Sequence, residues 1–203
     1  MPAFIPATAE EYKSQIKQLF KNLVSISEPD WVAFSSKLHF KRFDKKSRIS
    51  LPGRVEDRLY FLADGVVRFI VFNGEKESTT DFAFSGQFFS SYSSFITRQP
   101  GIFEIRSVTR KADCFYITWQ DLQEIYTTTS CGEKIGRMAA EQQFIKKSAR
   151  EVSLLNEHPK DRYLKLLEEQ PKWVQEIPLK HLASYLGIAP ETLSRIRRSI
   201  QGS

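Results

Sequence analysis

Residues 178–198 read PLKHLASYLGIAPETLSRIRR. Pro178 opens a helix whose inner side carries Leu179, Leu182, Ala183 and Leu186, Gly187 ends it, and Pro190 opens a second helix with Leu193 and Ile196 turned inward. Each residue type has a steric reason. Ala183 is small where two helices must cross closely, Gly187 can adopt the left-handed conformation that a tight turn needs, and Ile188 plugs the corner. Two short helices joined in this way form a helix-turn-helix, although any helical hairpin shares part of the pattern. The outward face of the second helix separates the two readings. It presents Glu191, Thr192, Ser194, Arg195, Arg197 and Arg198, whereas a merely solvated face mixes Lys and Glu more evenly. Arg195 can donate two hydrogen bonds to guanine O6 and N7, Glu191 can accept from a cytosine amino group, and Ser194 can serve either base. Thr192, Arg197, Arg198 and, from the first helix, Lys180 suit phosphate oxygens, which fix position without reading sequence. The partner implied is double-stranded DNA.

Moving toward the N-terminus, Trp173–Glu176 reads as a short strand, and Lys160–Glu169 as a helix with Pro159 suited to its first position. His158-Pro159 breaks whatever precedes it. What precedes it is the longest helical period in the chain, expected to be capped by Ser130 and Glu133. Ile135, Met138, Gln142, Ile145, Ala149, Val152 and Asn156 step by three and four, the a/d spacing of a seam between two helices. Two readings stay open: a dimer seam formed with a second copy, or a stripe that lies on the protein's own β-domain. The polar Gln142 suits the seam, because a polar residue at an a position fixes register between two chains.

Between about Lys37 and Thr118 the pattern changes to short runs rich in Phe, Ile, Val, Tyr and Thr. Turn pairs punctuate them at Pro52-Gly53, Asp64-Gly65, Asn73-Gly74, Ser85-Gly86 and Pro100-Gly101. Spacing of this kind, with strands such as Arg58–Leu62 and Val66–Phe72, predicts a sandwich or barrel. Asn73-Gly74 is the sharpest hairpin feature. In front of these strands, Thr8 with Glu11 forms a capping box for a helix whose Tyr12, Ile16, Leu19, Phe20 and Leu23 share one side, and a second short helix follows Ser27. Thr118 with Asp121 caps another helix just after the strands.

The chain has 203 residues, 41% of them apolar, enough for real cores without covalent staples. A formal net charge of +6 favours polyanionic partners, because basic surface gains from releasing the counterions held by phosphates. Cys114 and Cys131 lie far apart with no C-x-x-C spacing, so no disulfide framework, zinc site or iron-sulfur cluster is implied, and a reducing cytoplasm fits. Met1 to Ala7 has no leader pattern and no stretch is apolar enough to span a bilayer, so no membrane association is expected. A metal-dependent enzyme of the cupin type is the main alternative from another class. It needs a clustered histidine set, yet His39, His158 and His181 are scattered and no catalytic carboxylate pair can be placed. A further alternative is a dimer that contacts only protein partners.

The order of parts resembles the Crp/Fnr family of bacterial regulators. The resemblance covers nearly the whole chain, and its most specific element is Glu191-Thr192-Leu193-Ser194-Arg195, which matches the E-x-x-S-R recognition helix of that family. It implies that Glu191, Ser194 and Arg195 read bases while Thr192 approaches the backbone. Pro190 stands where some members carry an arginine, so one base contact is missing from the pattern. The implied fold is α+β: an N-terminal β-roll (double-stranded jelly roll) sensor with flanking helices over 1–129, a long dimerisation helix over 130–156, and a C-terminal winged-helix-like helix-turn-helix domain over 157–203. The chain ends too soon after the recognition helix for a second pair of wing strands. Implied partners are DNA, a second copy of the chain and RNA polymerase.

The sensor departs from the family in its ligand chemistry. Cyclic-nucleotide members hold the phosphate with an Arg-Ser pair in a cassette that begins Gly-Glu-Leu. Here the cassette begins Gly86-Gln87-Phe88 and the Arg-Ser positions fall on or near Ile102 and Phe103, which cannot neutralise a phosphate. Cyclic AMP is therefore not the expected effector, and no other cofactor or metal can be identified. The serine-rich loop Ser90-Ser91-Tyr92-Ser93-Ser94 occupies the cassette's place, so an effector pocket, if present, is expected among Gly86, Gln87, Ser90, Ser91, Ser93 and Ser94. Arg98 or Arg106 would supply charge there, although Arg106 also reads as an ion-pair partner of Glu104.

Overall fold

A computed structural model describes residues 9–201. Helices α1 (Ala9–Leu23) and α2 (Glu28–Ser35) lead into strands β1 (His39–Asp44), β2 (Arg48–Ser50), β3 (Arg58–Asp64), β4 (Val66–Asn73), β5 (Lys76–Phe84) and β6 (Gln87–Phe89). A short helix α3 (Tyr92–Thr97) precedes β7 (Glu104–Ser107) and β8 (Lys111–Thr118). Helices α4 (Trp119–Thr128), α5 (Gly132–Asn156), α6 (Pro159–Glu169), α7 (Pro171–Glu176), α8 (Leu179–Tyr185) and α9 (Pro190–Gln201) complete the chain. The capping box at Thr8 lies outside the described residues.

The strands form two four-stranded sheets, ordered β1-β8-β3-β6 and β2-β7-β4-β5. The turn pairs do the folding. Asp64-Gly65 carries the chain from β3 in the first sheet to β4 in the second. Gly65 holds φ +111°, and a Cβ there would stand 2.6 Å from the Lys111 carbonyl oxygen, so only glycine fits this corner. Ser85-Gly86 returns the chain to the first sheet, and Gly74 turns the β4–β5 hairpin with φ +59°. In the first sheet Phe61 pairs with Phe88 and Phe115 across its two neighbours.

Two compact units result, one running up to Val67 together with Phe82–Glu141, the other formed by Arg68–Asp81 together with the residues from Gln142 onward. The core of the first joins Tyr12, Ile16 and Phe20 of α1, Phe34 of α2, Phe61 of β3, Phe95 of α3, Phe115 and Ile117 of β8, and Leu122 and Ile125 of α4. The predicted face of α1 thus points inward. The second unit holds α6–α9, part of α5, and the outer part of the β4–β5 hairpin.

Three local expectations need correction. Trp173–Glu176 is helical within α7, because Pro171 sits at its first turn and Trp173 turns inward against Tyr185, with ring centroids 4.9 Å apart. Ser130 does not cap the long helix. Its hydroxyl donates to Asp30 at 2.7 Å, its N–H donates to the same carboxylate at 3.2 Å, and α5 starts at Gly132 with Ile135 N–H bonding Cys131 O at 3.0 Å. Tyr92–Ser94, expected within a serine-rich loop, instead begin α3. By contrast, the Thr118–Asp121 capping box is present with both reciprocal bonds, and Ser27 caps α2 by accepting from Asp30 N–H.

Candidate nucleic-acid interface

The helix pair α8–α9 is built from its turn. Helix α8 ends in two bonds: Gly187 N–H donates to Ser184 O at 3.2 Å and Ile188 N–H donates to Ala183 O at 3.1 Å. This is the Schellman arrangement, and it demands the left-handed φ of +70° that Gly187 adopts. The remaining carbonyl at the corner, Leu186 O, accepts from the Arg162 guanidinium of α6 at 2.9 Å. A Cβ at Gly187 would meet Leu154 Cδ2 at 3.4 Å and Arg162 Nη2 at 4.0 Å, both ordinary contacts. The cost of Gly187→Ala is therefore conformational alone, about 1 kcal/mol, and it should appear as a lower midpoint in thermal unfolding with the fold retained.

Below the turn, Leu182 and Ala183 of α8, Leu186 at its C-cap, and Leu193 and Ile196 of α9 are all buried, Leu193 fully so. Burying that side fixes what the other side of α9 offers. Glu191, Arg195 and Arg198 are exposed, Thr192, Ser194 and Arg197 are half-buried, and Lys180 at the start of α8 is exposed. None of Lys180, Glu191, Arg195, Arg197 and Arg198 enters an ion pair among the described residues. One helix face thus brings together three guanidinium groups, two hydroxyls and a carboxylate, and none of its charged groups has an ion-pair partner to release first among the described residues. This is the donor and acceptor set that base edges and phosphates require.

The seam residues occupy α5. Ile135 packs on the core of the first unit, as the reading in which the stripe lies on the β-domain requires for that one position. Beyond it the apolar side chains stand in solvent: Ile145 is 66% and Val152 58% exposed, with Gln142 and Ala149 exposed and Met138 half-buried. Leu155 (77%), at the g position, flanks this stripe, whereas the exposed Phe144 (73%), at the c position, stands on another side of the helix.

The residues singled out for an effector do not converge. Gln87 accepts from Phe84 N–H across the Ser85-Gly86 turn between β5 and β6, and Arg106 pairs with the buried Glu104, which also binds Arg48. Ser93 is exposed on α3. Ser90, Ser91 and Ser94 do share a buried region with Glu56. Ser90 donates to Arg58 O at 2.9 Å, and Ser94 accepts from Glu56 N–H at 2.9 Å while donating to Gln99 O. Ser91 Oγ is buried without a partner among the described residues. Sequence reasoning missed Glu56 itself. Its carboxylate accepts from the N–H groups of Asp57 and Arg58 at 3.0 and 3.1 Å, and burial pushes its carboxyl above the usual range despite those bonds and one from Ser50. The nearby cation Arg98 is bound to Glu56 O and Asp57 Oδ1. Ile102 is exposed and Phe103 half-buried, so neither adds charge to the cluster. No group of three or more His, Cys, Asp or Glu able to hold a metal occurs among the described residues.

A β-roll, a long helix and a helix-turn-helix follow one another along this chain, and the solved structures similar to it, at 12 to 21% identity, share that fold. The c-di-GMP responsive regulator CLP of Xanthomonas campestris shares 21% identity at TM-score 0.65, covering 87% of this chain and 92% of that one. FixK2 of Bradyrhizobium japonicum shares 12% at TM-score 0.73 over 81% and 85% of the two chains. The catabolite activator protein of Thermus thermophilus shares 18% at TM-score 0.53 over 87% and 84%. A Eubacterium rectale protein assigned to the Crp/Fnr family shares 17% at TM-score 0.67 over 90% and 86%. No family model and no curated protein matches the sequence. No helix among the described residues is long and apolar enough to cross a membrane.

Proposed function

We propose that this protein is a sequence-specific DNA-binding transcription regulator of the Crp/Fnr type, acting as a homodimer on a pseudo-palindromic operator in the cytoplasm, and not an enzyme. The observation that carries the proposal is the outer face of α9, where Glu191, Ser194 and Arg195 stand beside Thr192, Arg197 and Arg198 while Leu193 and Ile196 anchor the helix from behind. Glu191, Ser194 and Arg195 read base edges; Lys180, Thr192, Arg197 and Arg198 hold phosphates. Two such helices, joined through the exposed stripe of α5, enter successive major grooves about 34 Å apart. RNA polymerase is the further partner that a regulator of this type engages.

The effector is not cyclic AMP in this reading. One similar structure is of a c-di-GMP responsive protein and another of a kinase regulatory domain with cAMP, but here the cluster around Ser91 contains a buried carboxylate, Glu56, and its cation Arg98 is already engaged. A phosphate placed there would face like charge. Any effector pocket is centred on Ser90, Ser91 and Ser94, where one hydroxyl still lacks a partner.

The test is selection from a random oligonucleotide pool. The expected result is an inverted repeat whose half-sites lie one helical turn apart, bound with the same affinity whether or not cyclic AMP is added. Recovery of no preferred sequence would leave the basic helix as a protein-docking face and sink the proposal.

A further inference from the structure

The second unit contains a piece of the sensor. Arg68–Asp81, the outer part of the β4–β5 hairpin, groups with α6–α9 and not with the strands that precede and follow it. Its contacts explain why. Thr79 N–H donates to Ser184 Oγ of α8 at 2.8 Å across 105 residues of sequence. Two residues on, the Asp81 carboxylate accepts from Lys146 Nζ at 3.1 Å to both oxygens and from Lys147 Nζ at 2.9 Å. Asp81 is 7% exposed, so its charge has left water, and it is tolerable there only because two ammonium groups of α5 replace the lost solvent. Burial raises its carboxyl and the two lysines more than offset that, holding it below the usual carboxylate range.

These contacts close a ring. Lys146 lies over the Trp173 indole at 6.0 Å, Trp173 packs edge-on against Tyr185, and Tyr185 neighbours Ser184 on α8, which returns to Thr79. Arg150 locks the same point, stacking 3.7 Å over the Tyr185 ring and donating to Tyr185 O at 2.8 Å. On the hairpin side Thr79 is itself held, because buried Arg68 donates to Thr79 Oγ1 at 2.8 Å and to Glu77 at 2.8 Å. Helix α8 is therefore gripped from the hairpin, from α5 and from α7. The tight Gly187 turn passes that orientation directly to α9.

We propose that Asp81, Thr79 and Ser184 are positioning residues for DNA recognition: the hairpin of the sensor sets the angle at which the recognition helix meets the groove. None of the three touches DNA in this scheme. The inference rests on the DNA-binding reading of α9, and its effect separates from that of a contact residue. Base-edge bonds depend steeply on orientation whereas phosphate attraction does not, so loosening the ring should cost specificity and leave general DNA affinity intact.

The experiment uses the full-length protein, the site it selects and a random duplex, with Ser184→Ala, Asp81→Asn and the conservative Ser184→Thr. Ser184→Ala and Asp81→Asn should each weaken the selected site about tenfold, the size of one lost hydrogen bond involving a charged or pre-set group. Random DNA should change less than about twofold with an unaltered salt slope, since the number of phosphate contacts is the same. Ser184→Thr should restore the ratio. Backbone amides of α8 and α9 should exchange hydrogen faster in the weakened variants without DNA present. Ser184→Ala is the variant that keeps the test sound if Asp81→Asn fails to fold. Unchanged exchange, an unchanged ratio of selected to random affinity, or parallel loss on both duplexes would each overturn the positioning role. A wild-type protein that selects no sequence would instead overturn the DNA-binding reading and this inference with it.

Discussion

Replacing both Ile145 and Val152 by glutamate should convert the protein from dimer to monomer and weaken binding to its selected operator by at least about a hundredfold. The reasoning begins with exposure. In the single chain these two side chains are 66% and 58% exposed, and Leu155 beside them is 77% exposed. Covering a large aliphatic side chain contributes roughly 1.5 to 3 kcal/mol, so Ile145, Val152 and the flanking Leu155 on each of two helices supply enough to associate. In a symmetric pair each residue faces the matching region of its partner, and a carboxylate at position 145 or 152 then opposes its own copy in a seam that excludes water. The chain's own fold has little to lose, because neither residue belongs to its core. Affinity falls because a half-site held by one helix pair no longer brings the second to an effective concentration of about millimolar. Sedimentation velocity gives the mass and circular dichroism the fold. A variant that stays dimeric would place the seam elsewhere, and a wild-type chain that sediments as a monomer would remove it altogether.

How far the molecule can be read before folding depends on how local each constraint is. The helix-turn-helix was legible because Leu182, Ala183, Leu186, Gly187, Ile188, Leu193 and Ile196 fit its pattern within 21 residues, and Gly187 with Ile188 makes the very bonds that such a turn needs. The β-roll was legible through its corners: Asp64-Gly65 and Ser85-Gly86 mark where the chain changes sheet. The short elements were not. Trp173-Val174-Gln175-Glu176 reads as a strand, yet it is helical because Pro171 opens the turn and Trp173 is buried against Tyr185, twelve residues away. Ser130 followed by Glu133 has the local form of a cap, but Asp30, a hundred residues earlier, claims its hydroxyl. The same holds for the grip on α8. Nothing near Thr79 or Asp81 announces that one will bond Ser184 and the other two lysines of α5, because long-range polar pairs leave no period in the sequence.

Arg195→Ala and Arg198→Ala should fail differently, and the difference tests the assignment of roles on α9. Both side chains are exposed and both remove one positive charge. If each merely added attraction to a polyanion, both would weaken selected and random duplexes alike and lower the salt slope together, by about one unit each. Arg195 lies one turn beyond Glu191 on the same outer face of α9, where a guanidinium can reach guanine O6 and N7 at once. Its loss should cost about 1 to 3 kcal/mol on the selected site and relax the choice at a single base pair in each half-site, with far less effect on random DNA. Arg198 lies three residues further, beyond the turn that carries the base-reading groups. Its loss should weaken every sequence by a similar factor and flatten the dependence on salt. Titrations on the selected site, on its single-base variants and on random duplex, each at three salt concentrations, separate the two outcomes. Equal behaviour of the two variants would mean that α9 does not lie in the groove with Arg195 toward the bases, and the docking geometry would have to be abandoned even if DNA binding itself survived.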